Sequence, residues 1–109
     1  CLASNGADGR AIVFDTATFA PTHTLVLTGP PSRARVSRDG RLGAVTVFES
    51  GHSYAEEGFS TRTTILDLET GTPFPDLETF TIRKDGALVR RIDINFWGVT
   101  FIPGTRRFY

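Results

Sequence analysis

The chain has 109 residues, which is enough for one domain with a single hydrophobic core and too few for two ordinary domains. Its 12 basic residues balance 12 acidic ones, so no net charge concentrates phosphates near the protein, and we expect no nucleic-acid partner. The longest uninterrupted run of apolar residues has four members, at residues 11–14, and is far too short to span a membrane.

Short segments rich in Val, Ile, Thr and Phe follow one another along the chain and have the composition of β-strands. Dipeptides such as Asp39-Gly40 and Asp85-Gly86 separate several of them and supply the positive φ angles of tight, two-residue hairpin turns. No window of helical length has the apolar spacing of an amphipathic helix, so we expect almost no helix. The predicted strands are residues 11–14, 24–27, 42–48, 63–68, 80–83, 88–94 and 99–102.

Two internal similarities indicate a repeated unit. Residues 14–21 align with residues 66–73, and each copy has a strand ending in aspartate, a turn with threonine, and a proline that opens the next strand. We expect the equivalent Asp15 and Asp67 to accept backbone hydrogen bonds in Asx-type turns. Residues 36–41 align in the same way with residues 101–106, with a longer spacing that we assign to an extra hairpin around residues 84–87. Such repeats of four strands each are typical of propeller blades.

Three segments resemble one family of repeats. Residues 37–46, SRDGRLGAVT, are similar to the S-P-D-G-K/R hairpin and apolar strand of TolB-like, WD40-like β-propellers. Residues 65–71, ILDLETG, resemble the strand that leads into D-x-x-T-G, and residues 96–104 resemble the first strand of a following blade. Arg38 stands where the family has proline, and the Trp-Asp dipeptide of true WD40 repeats does not occur. The resemblance implies an all-β fold of antiparallel four-stranded propeller blades, about two blade-equivalents of an incomplete β-propeller.

The predicted division treats residues 1–109 as a single propeller segment. Residues 1–32 are the outer half of one blade, 33–82 a complete blade, 83–94 an inserted hairpin, and 95–109 the start of the next blade. Residues 42–48 lack polar alternation, as expected of a middle strand covered on both faces by neighbouring blades. Closed propellers have about four to eight blades, so two blade-equivalents cannot close alone. We therefore expect a longer parent chain, or self-association of copies through exposed strand edges.

A long loop at residues 49–60 is the first candidate binding surface, because it carries mixed polar and aromatic side chains between two strands. We expect no metal there, since an irregular loop imposes no ligand spacing and one imidazole with carboxylates makes no distinctive site. Trp97 either caps a pocket or packs between blades. The candidate binding residues are His52, Tyr54, Glu56, Glu57, Phe59 and Trp97.

No catalytic residue is expected, because the chain has no Gly-x-Ser-x-Gly elbow and its adjacent Glu56 and Glu57 point to opposite sides of an extended segment. No cofactor is expected either. The resemblance implies a non-catalytic scaffold that binds a protein or ligand through its blade loops, in a bacterial protein of the periplasm or the extracellular space. Two alternatives stay open: the propeller of a larger, prolyl-oligopeptidase-like hydrolase, and a propeller that binds a small ligand or glycan.

Overall fold

The computed structural model describes residues 1–4, 9–50, 58–89 and 94–109, with the side chain of Ser50 left out. These residues form an all-β arrangement of small antiparallel sheets, as predicted. The described part of the chain has one helical element, the single 3₁₀ turn Leu77–Thr79, and so has no helix able to cross a membrane. The strands are β1 (Leu2–Ser4), β2 (Gly9–Phe14), β3 (Pro21–Leu27), β4 (Pro31–Val36), β5 (Leu42–Ser50), β6 (Ser60–Asp67), β7 (Ile82–Lys84) and β8 (Ala87–Val89).

The strands form three sheets in chain order. Sheet A contains β1, β2 and β3, sheet B contains β4, β5 and β6, and the third sheet is the β7–β8 hairpin. Strand β4 was not among the predicted strands, because its proline and two arginines do not match a strand composition. It is nevertheless an edge strand of sheet B with one partner, where an initial proline costs no ladder hydrogen bond.

Turn chemistry explains the hairpins. Asp85 and Gly86 have φ angles of 51° and 82° and form the predicted two-residue turn between β7 and β8. The turn at Gly40, whose φ is 71°, lies instead in a five-residue connection. There the Ser37 hydroxyl donates to Asp39 Oδ1 at 2.6 Å and accepts the Leu42 N–H at 2.9 Å, so side chains bridge the wider loop.

Strand β5 lies in the middle of the fold. Residues 43–48 are all buried, without the alternation of a half-exposed strand. On one face Val45 and Val47 pack with Ala11 and Leu27 of sheet A. The predicted burial of this strand on both faces is confirmed, because consecutive residues, whose side chains point to opposite faces, are all buried. That neighbouring blades cover it stays a prediction.

The second face of sheet B is covered by the C-terminal segment and the 3₁₀ turn. Ala44 and Ile65 form a core cluster with Leu77 and Val99, and Leu77 has no exposed surface. Phe96, Phe101 and Phe108 pack against this cluster. Sheet A, sheet B and residues 94–109 therefore form three successive layers, with the two apolar clusters between them.

Among the described residues, no fourth strand forms along the outer edge of β6. Leu66 makes one bridge to Pro73, and the Phe74 N–H donates to the Ile65 carbonyl at 2.8 Å. Side chains satisfy two further amides of this edge. The Thr61 N–H donates to Asn95 Oδ1 at 3.3 Å, and the Thr63 N–H donates to Glu78 Oε1 at 3.2 Å. The four-stranded blade and the propeller thus stay predictions.

Two predicted strands differ from the structure. The segment predicted at residues 80–83 contributes to β7, which pairs with β8 and not with β6. Residues 99–102 form no strand and contribute one bridge, between Phe101 and Phe108. The segment predicted at residues 88–94 is described as strand only through Val89, since residues 90–93 lie outside the described part of the chain.

Candidate functional site

An aromatic cluster of Phe48, Phe59 and Trp97 lies at one end of sheet B. The ring centroids of Phe59 and Trp97 are 5.1 Å apart with an interplanar angle of 60°, and Phe48 meets Phe59 edge-on at 6.3 Å. Phe48 is buried, whereas 46% of Trp97 is exposed. The cluster therefore anchors an indole ring on the core and presents part of it to solvent.

Buried threonines hold the backbone that carries Trp97. The Phe96 carbonyl accepts hydrogen bonds from the hydroxyls of Thr61 and Thr63, at 3.0 and 2.6 Å. Thr63 also shares a hydrogen bond of 2.9 Å with Thr46, and all three threonines are almost completely buried. Because these hydroxyls have few alternative partners, the position of the Trp97 backbone relative to sheet B is well determined.

A cleft of about 200 Å³ lies beside Trp97, between β4, β5 and the C-terminal segment. Arg33, Arg35 and Tyr109 are among the residues that line this cleft. None of the described residues that line the cleft has an acidic side chain. Two cations beside two aromatic rings suit a carboxylate next to an apolar group, since guanidinium binds carboxylates in a planar, paired geometry. We call this site the arginine cleft.

A second charged cluster surrounds Arg62 at the outer edge of sheet B. Its guanidinium contacts Glu49 and lies 3.7 Å from Asp76, and Asp76 accepts a hydrogen bond of 2.5 Å from Thr64. Burial, with a smaller effect of the neighbouring carboxylates, raises the pKa of Glu78. Its Oε1 accepts the Thr63 N–H at 3.2 Å. These groups satisfy one another and the edge of β6, so we assign them a structural role.

The predicted Asx-type turns are confirmed and are also structural. Asp15 Oδ1 accepts the N–H groups of Ala17 and Thr18 at 3.0 and 2.8 Å. Asp67 Oδ1 accepts those of Glu69 and Thr70 at 2.9 and 3.0 Å. Backbone hydrogen bonds, from Thr18 and Thr70 above all, lower the pKa of each carboxyl group. Both side chains therefore close a turn and take no part in a candidate site.

No family model, curated protein or solved structure matches this chain. The propeller resemblance therefore stays a prediction from the sequence. Within residues 1–4, 9–50, 58–89 and 94–109, no group of three or more His, Cys, Asp or Glu side chains is placed to hold a metal ion.

The structure brings together two of the predicted binding residues, Phe59 and Trp97. The other four, His52, Tyr54, Glu56 and Glu57, lie outside the described residues and stay predictions. Sequence reasoning missed the arginine cleft, because its arginines lie on a strand that was not predicted and its aromatic rings come from the last segment of the chain. The one local feature that pointed to the cleft was the basic pair Arg33 and Arg35, because residues two positions apart on a strand share one face.

Proposed function

We propose that the protein is a non-catalytic β-sheet scaffold of the TolB-like, WD40-like propeller type, which binds a protein partner at the aromatic cluster and the arginine cleft. The recognised element is a peptide segment with an acidic side chain next to an apolar or aromatic one. The partner would be met outside the cytoplasm, in the periplasm or the extracellular space, by family resemblance. The observation that carries the proposal is the half-exposed Trp97 held by Phe59 beside two arginines.

The repeated geometry of the chain supports the scaffold part of the proposal. The Ser37 N–H donates to the Leu42 carbonyl at 2.8 Å, and at the aligned positions the Ile102 N–H donates to the Arg107 carbonyl at 2.9 Å. The bridge between Phe101 and Phe108 likewise matches a residue pair of the β4–β5 hairpin. A unit that repeats in hydrogen bonding as well as in sequence is what blades of a propeller would contribute.

The cleft's composition supports the choice of ligand. Burying Trp97 against a partner removes a large apolar area from water at little entropic cost, because its ring is already packed on Phe59. Arg35 lies on a strand that is exposed along most of its length, so an extended peptide can approach it. A guanidinium group that meets a carboxylate there forms charge-assisted hydrogen bonds, the stronger class.

Selection from a displayed library of random peptides tests the proposal. We expect enriched peptides to combine Asp or Glu with an aromatic residue and to change the fluorescence of Trp97, the one tryptophan of the chain. Trp97→Ala and Arg35→Gln should each weaken binding by at least about tenfold. The matched control is Arg38→Gln, which alters an exposed arginine of the β4–β5 turn outside the cleft.

Peptides that bind Trp97→Ala as tightly as the unaltered chain would show that the aromatic cluster is not the binding surface. Thermal melts of each variant separate a lost site from a lost fold. Trp97→Phe, which keeps a ring on Phe59, should retain most of the affinity if stacking matters.

A further inference from the structure

Strand β4 has an open edge beside the arginine cleft. It is the first strand of sheet B and pairs with β5 alone in the described part of the chain. Its residues 33–36 are all exposed. The opposite edge of the sheet differs, because side chains and the Phe74 segment bond to the outward backbone groups of β6. An edge strand whose backbone groups face solvent is a template for one more strand.

The register of sheet B decides which backbone groups of β4 face this open edge. The Ser37 N–H donates to the Leu42 carbonyl at 2.8 Å, across the β4–β5 hairpin. Hydrogen-bonded pairs of an antiparallel ladder alternate with non-hydrogen-bonded ones, so Arg35 also bonds to β5. Ala34 and Val36 therefore direct their N–H and C=O groups away from β5, toward the open edge.

The side chains of β4 alternate between the two faces of sheet B. Arg35 lies opposite Ala44, which packs on the C-terminal segment, so Arg33 and Arg35 share that face. Val36, which is 63% exposed, lies on the other face. Arg35 Nη1 donates to the Ala34 carbonyl at 3.0 Å, which places its guanidinium group at the open edge. The carbonyl has a second lone pair for another donor.

Trp97 lies toward the Arg33 end of the same face. The next residue, Gly98, has a φ of 122°, and a Cβ there would lie 3.7 Å from Arg33 Cδ. A ligand side chain that reaches Trp97 therefore lies near Arg33. One that bonds to Arg35 lies two positions away along β4, on the same face.

We propose that the partner peptide binds as an added strand, antiparallel to β4 at its open edge, and carries an acidic residue two positions before an aromatic one. The inference rests on the proposed function and adds the ligand's backbone conformation and side-chain spacing. The acidic residue lies opposite Arg35, and the aromatic residue lies opposite Arg33, beside Trp97. The residue between them lies opposite Ala34 and exchanges both main-chain hydrogen bonds with it.

Charge favours an acidic peptide over a second copy of this chain. If β4 paired with itself in antiparallel fashion about Ala34, Arg33 of each copy would lie opposite Arg35 of the other, and like charges directly opposite destabilise a sheet. A carboxylate opposite Arg35 replaces that repulsion with attraction. Non-hydrogen-bonded pairs also bring opposite side chains closest, so the ion pair forms where the strands allow the shortest contact.

The intervening residue of the peptide faces different surroundings. Its side chain points to the face of sheet B that Ala34 and Val36 share. Because Val36 is an exposed apolar side chain, an apolar residue there removes area from water on both partners. The expected order along the peptide is therefore acidic, apolar, aromatic.

The spacing of the selected peptides is the first test. Synthetic peptides compare three arrangements: acidic, apolar and aromatic in this order, the same residues reversed, and an acidic residue directly beside the aromatic one. The first should bind about tenfold more tightly than the other two, because only it presents both side chains to Arg35 and Trp97 from an antiparallel strand.

Methylation of the peptide backbone tests the strand pairing. A methyl group on the nitrogen of the intervening residue removes the N–H that donates to the Ala34 carbonyl, and binding should weaken by about tenfold or more. A methyl group on the nitrogen of the acidic residue is the matched control. That nitrogen points away from β4, so the affinity should change little.

A proline tests the same pairing from the side of the protein. Ala34→Pro removes the outward N–H and keeps the ladder to β5, so binding should weaken by about tenfold or more. Thr24→Pro on β3 is the matched control and should bind normally. Thr24 lies opposite Ile12, whose backbone bonds to Cys1, so its N–H also points outward. If circular dichroism shows that Ala34→Pro is unfolded, the methylated peptides still decide.

Three results would overturn the inference. Equal affinity of the two methylated peptides, with binding still lost in Trp97→Ala, would reject the added strand and leave the proposed function in place. Full affinity of Trp97→Ala would reject the proposed function and the strand with it. A dimer that forms without peptide in sedimentation experiments, and that Ala34→Pro abolishes, would assign the open edge to a second copy.

Discussion

Phe19 and Gly71 occupy the same position in two copies of one turn, and both have positive φ angles, 56° and 71°. In each copy this residue's N–H donates to the carbonyl of the aspartate four residues earlier, Asp15 or Asp67, at 2.8 and 2.9 Å. The turn therefore requires the left-handed conformation whichever residue is present. Glycine adopts it without cost, whereas phenylalanine has a Cβ that disfavours it.

Reciprocal substitutions at these two positions should have opposite effects on stability. Phe19→Gly should raise the free energy of unfolding by up to about 1 kcal/mol, because relief of left-handed strain exceeds the added entropy of the unfolded chain. Little packing is lost, since 79% of Phe19 is exposed. Gly71→Phe should lower the free energy of unfolding by about 1–2 kcal/mol or more. A Cβ there would also lie 2.7 Å from the ring of His23.

Urea denaturation of both variants beside the unaltered chain measures these changes. If both substitutions changed the free energy of unfolding in the same direction, the two turns would not be equivalent.

The aspartate turns should make stability depend on acid. Backbone hydrogen bonds, that of Thr70 above all, hold the pKa of Asp67 below its ordinary value of 3.8. Its stabilising contribution is therefore complete above 3.8 and is lost as the pH falls through the lower folded pKa. Asp67→Ala should lower the melting temperature at neutral pH, and the difference from the unaltered chain should become smaller in strong acid.

Asp67→Asn is the matched control, because its side-chain oxygen still accepts the two N–H groups without a charge. It should lose less stability than Asp67→Ala and show a weaker dependence on acid. Asp15→Ala should behave like Asp67→Ala if the two turns are equivalent. A melting temperature of Asp67→Ala that differs from the unaltered chain by the same amount at every pH would contradict this account.

The hydroxyl of Thr63 should contribute substantially to the free energy of unfolding. It has no exposed surface and bonds both to the Phe96 carbonyl and to Thr46. Thr63→Val keeps the shape but leaves these partners without the bond, so the free energy of unfolding should fall by about 1–3 kcal/mol. Thr24→Val, on the exposed part of β3, should change it little.

The fluorescence of Trp97 provides a second measurement for this substitution. If Thr63 holds the backbone beside Trp97, the indole emission of Thr63→Val should shift to the red before global unfolding. A variant as stable as the unaltered chain, with unchanged emission, would show that the threonine network does not hold this segment.

Glu78 should have the opposite pH dependence to the aspartates. Burial raises its folded pKa above the ordinary value of 4.5, so its contribution is complete below 4.5 and is lost as the pH rises through the folded pKa. Glu78→Gln keeps an oxygen for the Thr63 N–H and removes the charge. The variant should therefore gain stability relative to the unaltered chain at neutral pH, and less so in mild acid.

Chemical denaturation at several pH values measures the difference. Glu69→Gln, at an exposed position in a turn, is the control and should show no comparable trend. The compared quantity is the stability of Glu78→Gln minus that of the unaltered chain. If this difference were smaller at neutral pH than in mild acid, burial would not be the cause of the raised pKa.

Local sequence patterns predicted the elements whose cause is local. The turn at Asp85 and Gly86 and the Asx turns at Asp15 and Asp67 depend on residues within four positions of one another, so their geometry follows from neighbouring side chains. Strand β5 lacks the alternation of apolar and polar residues that a strand with one solvent-exposed face has. This pattern also predicted its burial on both faces.

Local patterns could not reveal that, among the described residues, the predicted fourth strand is absent from the edge of β6. Its place on the edge of β6 is taken by the side chains of Asn95 and Glu78, which are distant in sequence and bond to the N–H groups of Thr61 and Thr63. An edge amide can be satisfied by any acceptor that packing brings near it, and no local pattern records which acceptor that is.

The sequence by itself determined the all-β class, the positions of most turns and the internal repeat, since strand composition, turn residues and alignment are properties of neighbouring or repeated positions. Only the tertiary structure decided that Trp97 lies on Phe59 and beside Arg33 and Arg35. These residues come from three separate segments. Their meeting depends on how the C-terminal layer packs on sheet B, where apolar burial and the threonine hydroxyls select one arrangement.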